Sequence, residues 1–116
     1  MFNHEPTGYD CPFCRLASGG GDSLTTQDDV VLRTDRALAF VASRWWPNNR
    51  GHVLVVPTAH HENLYDLPAP DGHAVHDVVR EIAIAIRPAT PEDRQPYVRR
   101  LSAYLGGVRK DPEERP

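Results

Sequence analysis

Gly51-His52-Val53-Leu54-Val55-Val56-Pro57 is the stretch that settles how this chain folds. Val53 to Val56 is an unbroken aliphatic run rich in β-branched residues, the strongest strand signal in the sequence. Pro57 closes it, because proline cannot donate to a strand ladder. The exit Thr58-Ala59-His60-His61 puts two histidines where a strand holds the following chain rigidly, a favoured place for ligands or catalytic groups. Working outward, Val30-Val-Leu32 and Ala37-Leu-Ala-Phe-Val41 are two further short runs separated by Arg33-Thr-Asp-Arg36. They predict a hairpin turning near Thr34-Asp35. Arg44-Trp-Trp-Pro-Asn-Asn-Arg-Gly51 then reads as a loop leading into the central strand.

Downstream, Pro68-Ala-Pro-Asp71 breaks the chain and offers Asp71 as an N-cap. Val75, Val78 or Val79, Ile82 and Ile86 follow at helical spacing, which predicts a buried amphipathic helix from about Gly72 to Arg87. Thr90-Pro-Glu-Asp93 provides a capping hydroxyl, a proline at the first helical position and acids in the first turn. The apolar stripe of that second helix is Tyr97, Val98, Leu101, Tyr104 and Leu105, and Gly106-Gly107 ends it. Arg94, Arg99 and Arg100 read as its solvated face. Three strands and then two helices make an α+β outline.

The chain has 116 residues, enough for one domain. Lys and Arg total 13 against 16 Asp and Glu, for a net charge of −3, so there is no basic field for nucleic acid. Met1 to Asp10 is polar, and no segment approaches the ~18 apolar residues of a membrane span, so no membrane partner and a cytoplasmic location are expected. The expected organisation is a cysteine knuckle and glycine-rich loop over 1–28, a core with its C-terminal helix over 29–105, and a flexible tail over 106–116. Within the first of these, Ala17-Ser-Gly-Gly-Gly-Asp22 reads as a flexible loop, since consecutive glycines hold no fixed backbone angles without outside support.

Cys11-Pro-Phe-Cys14 carries the only two cysteines. A pair this close does not staple a loop, whereas two thiolates two residues apart can close on one tetrahedral ion. The remaining ligands would come from His4, His52, His60, His61, His73 and His76. A thiol redox role and two inert cysteines are the alternatives. The redox reading lacks the buried strand that precedes such dithiols, and Gly19 to Gly21 interrupts any helix starting at the knuckle. His73 and His76 share i, i+3 spacing but fall in polar turns beside Asp71 and Asp77, where solvated histidines are ordinary. Trp45-Trp46 beside Asn48-Asn49 could stack on a base or sugar, or cap a small core.

Gly51-His-Val-Leu-Val-Val-Pro-Thr-Ala-His60-His-Glu-Asn-Leu, preceded by Cys11-Pro-Phe-Cys14 and by Ala37-Leu-Ala-Phe-Val41, resembles the histidine-triad (HIT) family. The resemblance covers about Cys11 to Arg87. It implies a homodimeric α+β protein that binds a nucleotide or nucleoside phosphate and transfers or hydrolyses nucleotidyl groups. By position it implies structural zinc at Cys11, Cys14 and His60, and a nucleotide site drawing on Phe40, Trp45, Asn49 and His52.

The family's nucleophilic motif, H-x-H-x-H, does not occur in this sequence. The family places two more strands between the crossover helix and the C-terminal segment, whereas here Ile86-Arg87-Pro88-Ala89 runs straight into Thr90-Pro91. The resemblance therefore implies an antiparallel sheet with about three strands retained, and a nucleotidyl hydrolase or transferase scaffold without catalytic residues. His60 and His61 are no substitute, because adjacent side chains on an extended exit point to opposite sides. A fourth metal position is left to His4, His61, His73, His76 or water. The loss of the partner strands of Val53–Val56 leaves an apolar edge through which copies could associate. The competing reading is a non-enzymatic, zinc-stabilised, self-associating binding module, with a C-P-F-C thiol redox protein as a third.

Overall fold

The computed structural model describes residues 8–44, 50–87 and 94–107. Three strands, β1 (Val30–Arg33), β2 (Ala37–Val41) and β3 (Val53–Pro57), pair antiparallel in the order β1-β2-β3. The central strand β2 is buried along its whole length. Its alternation explains why. Ala37, Ala39 and Val41 join the main core on one face, while Leu38 and Phe40 join a second cluster on the other. A register shift between Val30 and Leu32 puts a bulge in β1, and Val31 and Leu32 are both fully buried in the main core.

Two helices cover the first face. In α2 (Ala69–Ile86), Val78, Ile82 and Ala85 form the buried stripe, opposite the small residues Ala37 and Ala39. Val78 rather than Val79 takes the core position, and Val79 is left 46% exposed. In α3 (Arg94–Tyr104), Tyr97, Val98 and Leu101 are buried, as is Leu105 just beyond it, and Leu105–Gly107 forms a closing 3₁₀ turn. The expected apolar stripe needs one correction. Tyr104 lies on the rim of that face and is 49% exposed.

The other sheet face is covered by a helix absent from the sequence reading, α1 (Pro12–Ala17), which starts at the cysteine knuckle. Pro12 opens it at a position where the missing N–H costs nothing, and the helix stops at Ser18 before Gly19, whose φ is +100°. Leu16 packs with Leu38 and Phe40, and the Phe13 and Phe40 rings lie 5.9 Å apart and tilted by 41°.

The glycine-rich loop has the outside support that its sequence does not show. Gln27 Nε2 donates to the carbonyls of Leu16 and Gly20, and Gly20 N–H donates to Arg15 O. A Cβ at Gly21 would stand 2.6 Å from Thr25 O, so this position has no room for a side chain.

The start of α2 also differs from expectation. The N-cap is Pro68, without a side-chain cap, and the helix begins at Ala69. Pro70 lies inside the first turn, which tolerates proline, so the Pro-rich stretch begins the helix instead of delaying it. Asp71 is consequently not a cap; it lies in the first turn and is turned into a buried ionic contact. The capping stretch Thr90–Asp93, Trp45-Trp46, Asn48-Asn49, His4 and residues 108–116 of the tail lie outside the described residues. No helix among the described residues is long and apolar enough to cross a membrane.

Candidate metal centre

The two ends of β3 carry the residues of interest, and each end is fixed by a different contact. At the entry, Gly51 has φ +82°, a backbone shape that other residues adopt only with strain. The buried Tyr97 hydroxyl donates to Gly51 O at 3.0 Å. The ladder continues one residue before the strand, with Ala42 N–H donating to His52 O at 2.9 Å. Alternation then carries the exposed His52 side chain to the sheet face of Leu54, Val56 and Phe40, the face that α1 covers.

At the exit, Thr58 ties the chain to the β1–β2 turn. Its N–H donates to Arg36 O at 3.0 Å and its hydroxyl to Asp35 O at 3.0 Å. His61 Nε2 lies 3.0 Å from Asp71 Oδ2, while Arg36 Nη1 donates to Asp71 Oδ1 at 2.6 Å. The Arg36 guanidinium, with His61 second, holds the Asp71 carboxyl below its ordinary range against the opposing effect of burial. One buried carboxylate thus joins the turn, the strand exit and the helix start. His61 is committed to this contact.

His60 goes the other way. Its Nδ1 lies 3.2 Å from Cys14 Sγ, and the ligand atoms of Cys11, Cys14 and His60 all lie within 4.8 Å of one another. A tetrahedral ion held by thiolates at about 2.3 Å and an imidazole at about 2.1 Å sets its ligand atoms about 3.6–3.8 Å apart. The observed separations are close enough for small side-chain rotations to meet that shape, so the three residues could hold a metal ion. The Cys11 thiol sits below its usual range. Burial raises it, and this is outweighed by hydrogen bonds from Cys14 and Phe13 backbone and from the Cys14 and His60 side chains. A thiol poised toward thiolate is what metal ligation requires.

Among the described residues this is the one group of three or more His, Cys, Asp or Glu so placed, and His73 and His76 on α2 do not join it. Both cysteines are half-buried and His60 is exposed. A cavity of about 260 Å³ opens beside the three donors, bounded by Phe13 and Val56 and by His61 and Glu62. The family resemblance groups Cys11, Cys14 and His60, and their ligand atoms do lie together. Sequence reasoning misses Asp71, Arg36 and Tyr97, whose partners are 10 to 46 positions away. The one available signal was an acid inside a helical first turn close after a histidine pair. Of the expected nucleotide residues, Phe40 is 2% exposed and His52 is exposed, while Trp45 and Asn49 lie outside the described residues.

A HIT-domain family model matches residues 24–103. An uncharacterised HIT-like protein of Saccharolobus solfataricus is 31% identical over 83 residues, covering 72% of this chain and 55% of that protein. The chain therefore spans about half the length of the curated relative it matches. No solved structure matches. The family match begins after both cysteines, so the candidate metal centre joins His60 from within the matched region to two thiols upstream of it. With most of the chain matched, an α+β fold of three antiparallel strands and the Gly51–His60 stretch laid along β3, this protein belongs to the HIT-domain family.

Proposed function

We propose that the protein is a nucleotide-binding HIT-family scaffold, held by structural zinc at Cys11, Cys14 and His60, with catalysis at or near background. The observation that carries this reading is the use of β3 as a rigid ruler. It sets His52 at one end and His60 at the other, with the thiol pair of α1 gathered beside His60. Zinc when bound would clamp α1 to the strand exit, a role that suits a thiolate and imidazole donor set.

Trp45, Asn49 and His52 are the proposed nucleotide contacts, with His52 toward phosphate, and the buried Phe40 would support the site from beneath and not touch the ligand. Nucleotidyl transfer needs one imidazole in line with the leaving group and further groups to stabilise charge and supply a proton. His61 is held by Asp71, and His60 faces the cysteines, so neither is placed for that work. The sequence offers no H-x-H-x-H to replace them. Titration with adenosine monophosphate, followed by calorimetry, should give a binding isotherm weakened by His52→Ala. Adenosine phosphoramidate should be hydrolysed no faster by the protein than by buffer. Turnover abolished by His60→Ala or His61→Ala would overturn the non-catalytic part of the proposal.

A second reading, a self-associating zinc-stabilised module, is favoured by the outer edge of β3, which pairs with no strand among the described residues. It predicts homo-oligomers through that edge and no nucleotide isotherm. Disulfide reductase activity at Cys11 and Cys14 would support the redox alternative over both.

A further inference from the structure

Asp71-Gly72 is the one Asp-Gly pair in the chain, and no Asn-Gly pair occurs. Aspartate before glycine is where a polypeptide most easily closes on itself, because the following amide nitrogen can attack the side-chain carboxyl with no Cβ in the way. The fold does not call for this glycine. Outside its own helix, the atom a Cβ at Gly72 would meet is Leu67 Cδ2, at 3.5 Å, an ordinary contact. Alanine would also suit α2 better, since glycine weakens a helix.

The backbone alone holds this helix start weakly. Pro68 supplies no side-chain cap and Pro70 has no N–H, while the N–H groups of Asp71 and Gly72 share one acceptor, Pro68 O, each at 3.1 Å. The firmer hold comes from the Asp71 side chain, which is buried. One of its carboxylate oxygens lies 2.6 Å from Arg36 Nη1 and the other 3.0 Å from His61 Nε2. Gripped at both oxygens, the carboxyl is kept from turning back on Gly72 N.

We propose that Asp71-Gly72 is a latent isoaspartate site, latched by Arg36 and His61, whose conversion unties the start of α2 from the sheet. When the first turn opens, Gly72 N attacks Asp71 Cγ. The N–Cγ bond forms, the Cγ–OH bond breaks, and the amide proton and hydroxyl leave as water. A second water then opens the succinimide ring. Addition at Cγ restores Asp71, whereas addition at the main-chain carbonyl leaves the chain running through Cγ, with one more methylene in the backbone and no change of mass. The carboxylate then sits on Cα, one bond short of its former reach toward Arg36 and His61. Neither metal nor nucleotide takes part.

The test holds the full chain at neutral pH and physiological temperature, with each variant first shown to be folded by circular dichroism. Samples are digested with a protease that cuts before Asp and not before isoaspartate, so a missed cleavage at Asp71 at unchanged mass reads the conversion. Wild type unfolded in guanidinium gives the unlatched rate. Conversion should be fastest there, about tenfold faster in Arg36→Ala than in folded wild type, and suppressed when Gly72→Ala is added to Arg36→Ala. His61→Ala removes the other grip, should also exceed wild type, and serves if Arg36→Ala does not fold. Equal rates in folded wild type and the single variants would overturn the latch. Absence of conversion at Asp71 in the unfolded chain, or conversion undiminished by Gly72→Ala, would overturn the site itself.

Discussion

The hydroxyl of Tyr97, in the C-terminal helix, donates to the carbonyl oxygen of Gly51 at the entry to β3. The ring is fully buried, and burial raises the phenol above its ordinary range, so the group remains a neutral donor. Tyr97→Phe keeps the packing and leaves a buried carbonyl unpaired, which should cost about 1–2 kcal/mol in urea denaturation. Gly51→Ala should cost at least as much, since it forces φ +82° on a residue with a Cβ. Two wild-type-like denaturation curves would show that this contact does not hold α3 in place.

Asp71 makes stability depend on acid. Its folded carboxyl is held below the ordinary carboxylate range, by Arg36 first and His61 second. The stabilisation is therefore complete above the unfolded Asp range and is lost as pH falls through the lowered folded value. Thermal midpoints of wild type and Asp71→Asn should differ most near neutrality and converge below about pH 4. A gap that stays constant across that range would assign the effect of the substitution to packing alone.

Metal content offers a direct check on the knuckle. Purified protein should carry about one zinc per chain, and Cys11→Ser, Cys14→Ser and His60→Ala should each lower that ratio, while His61→Ala should not. Chelation should loosen α1 selectively, seen as faster amide exchange over Pro12–Ala17 than in α2. Equal loss of zinc in His61→Ala would show that both exit histidines serve the ion.

The edge of β3 has a definite backbone pattern. Ala42 N–H meets His52 O, and Thr58 N–H meets Arg36 O, so His52, Leu54, Val56 and Thr58 turn their main-chain groups toward β2. Val53, Val55 and Pro57 turn theirs outward. Pro57 is thus tolerated because its missing N–H falls on the unpaired side. Val53 and Val55 remain able to pair, and Val79 lies exposed on α2. Val55→Pro, which removes the outward N–H, should lower the apparent mass at high concentration in analytical ultracentrifugation. An unchanged distribution would place any association elsewhere.

Much of this architecture is legible from local chemistry alone. The aliphatic run Val53–Val56, the turn at Thr34-Asp35 and the spacing of Val75, Val78 or Val79, Ile82 and Ile86 need only their neighbours to be read; Val78 and Ile82 are buried as that spacing has it, Val75 and Ile86 only in part, and Ala85 takes a core place that the spacing did not include. The C-x-x-C pair was legible as a candidate half-site, while the choice of His60 among six histidines came from the family resemblance. What the sequence hides is non-local. Asp71 reads as a cap until Arg36, 35 positions earlier, is folded against it. Three glycines read as slack until Gln27 reaches back to hold Gly20. Pro12–Ala17 is too short to show a helical period and forms against Leu38 and Phe40 of the sheet.

The strand order β1-β2-β3 bears on the route by which the chain reaches this shape. Each strand finds its partner in the next one along, so the sheet closes through short loops before any distant segment is needed. The C-terminal helix must travel back to Gly51 and is expected to dock late. Substitutions at Tyr97 should then speed unfolding with little change in refolding rate, whereas substitutions at Leu38 should slow refolding. Stopped-flow kinetics on the two variants would tell the orders apart, and would show whether a three-stranded meander is a sufficient nucleus for a HIT-family chain.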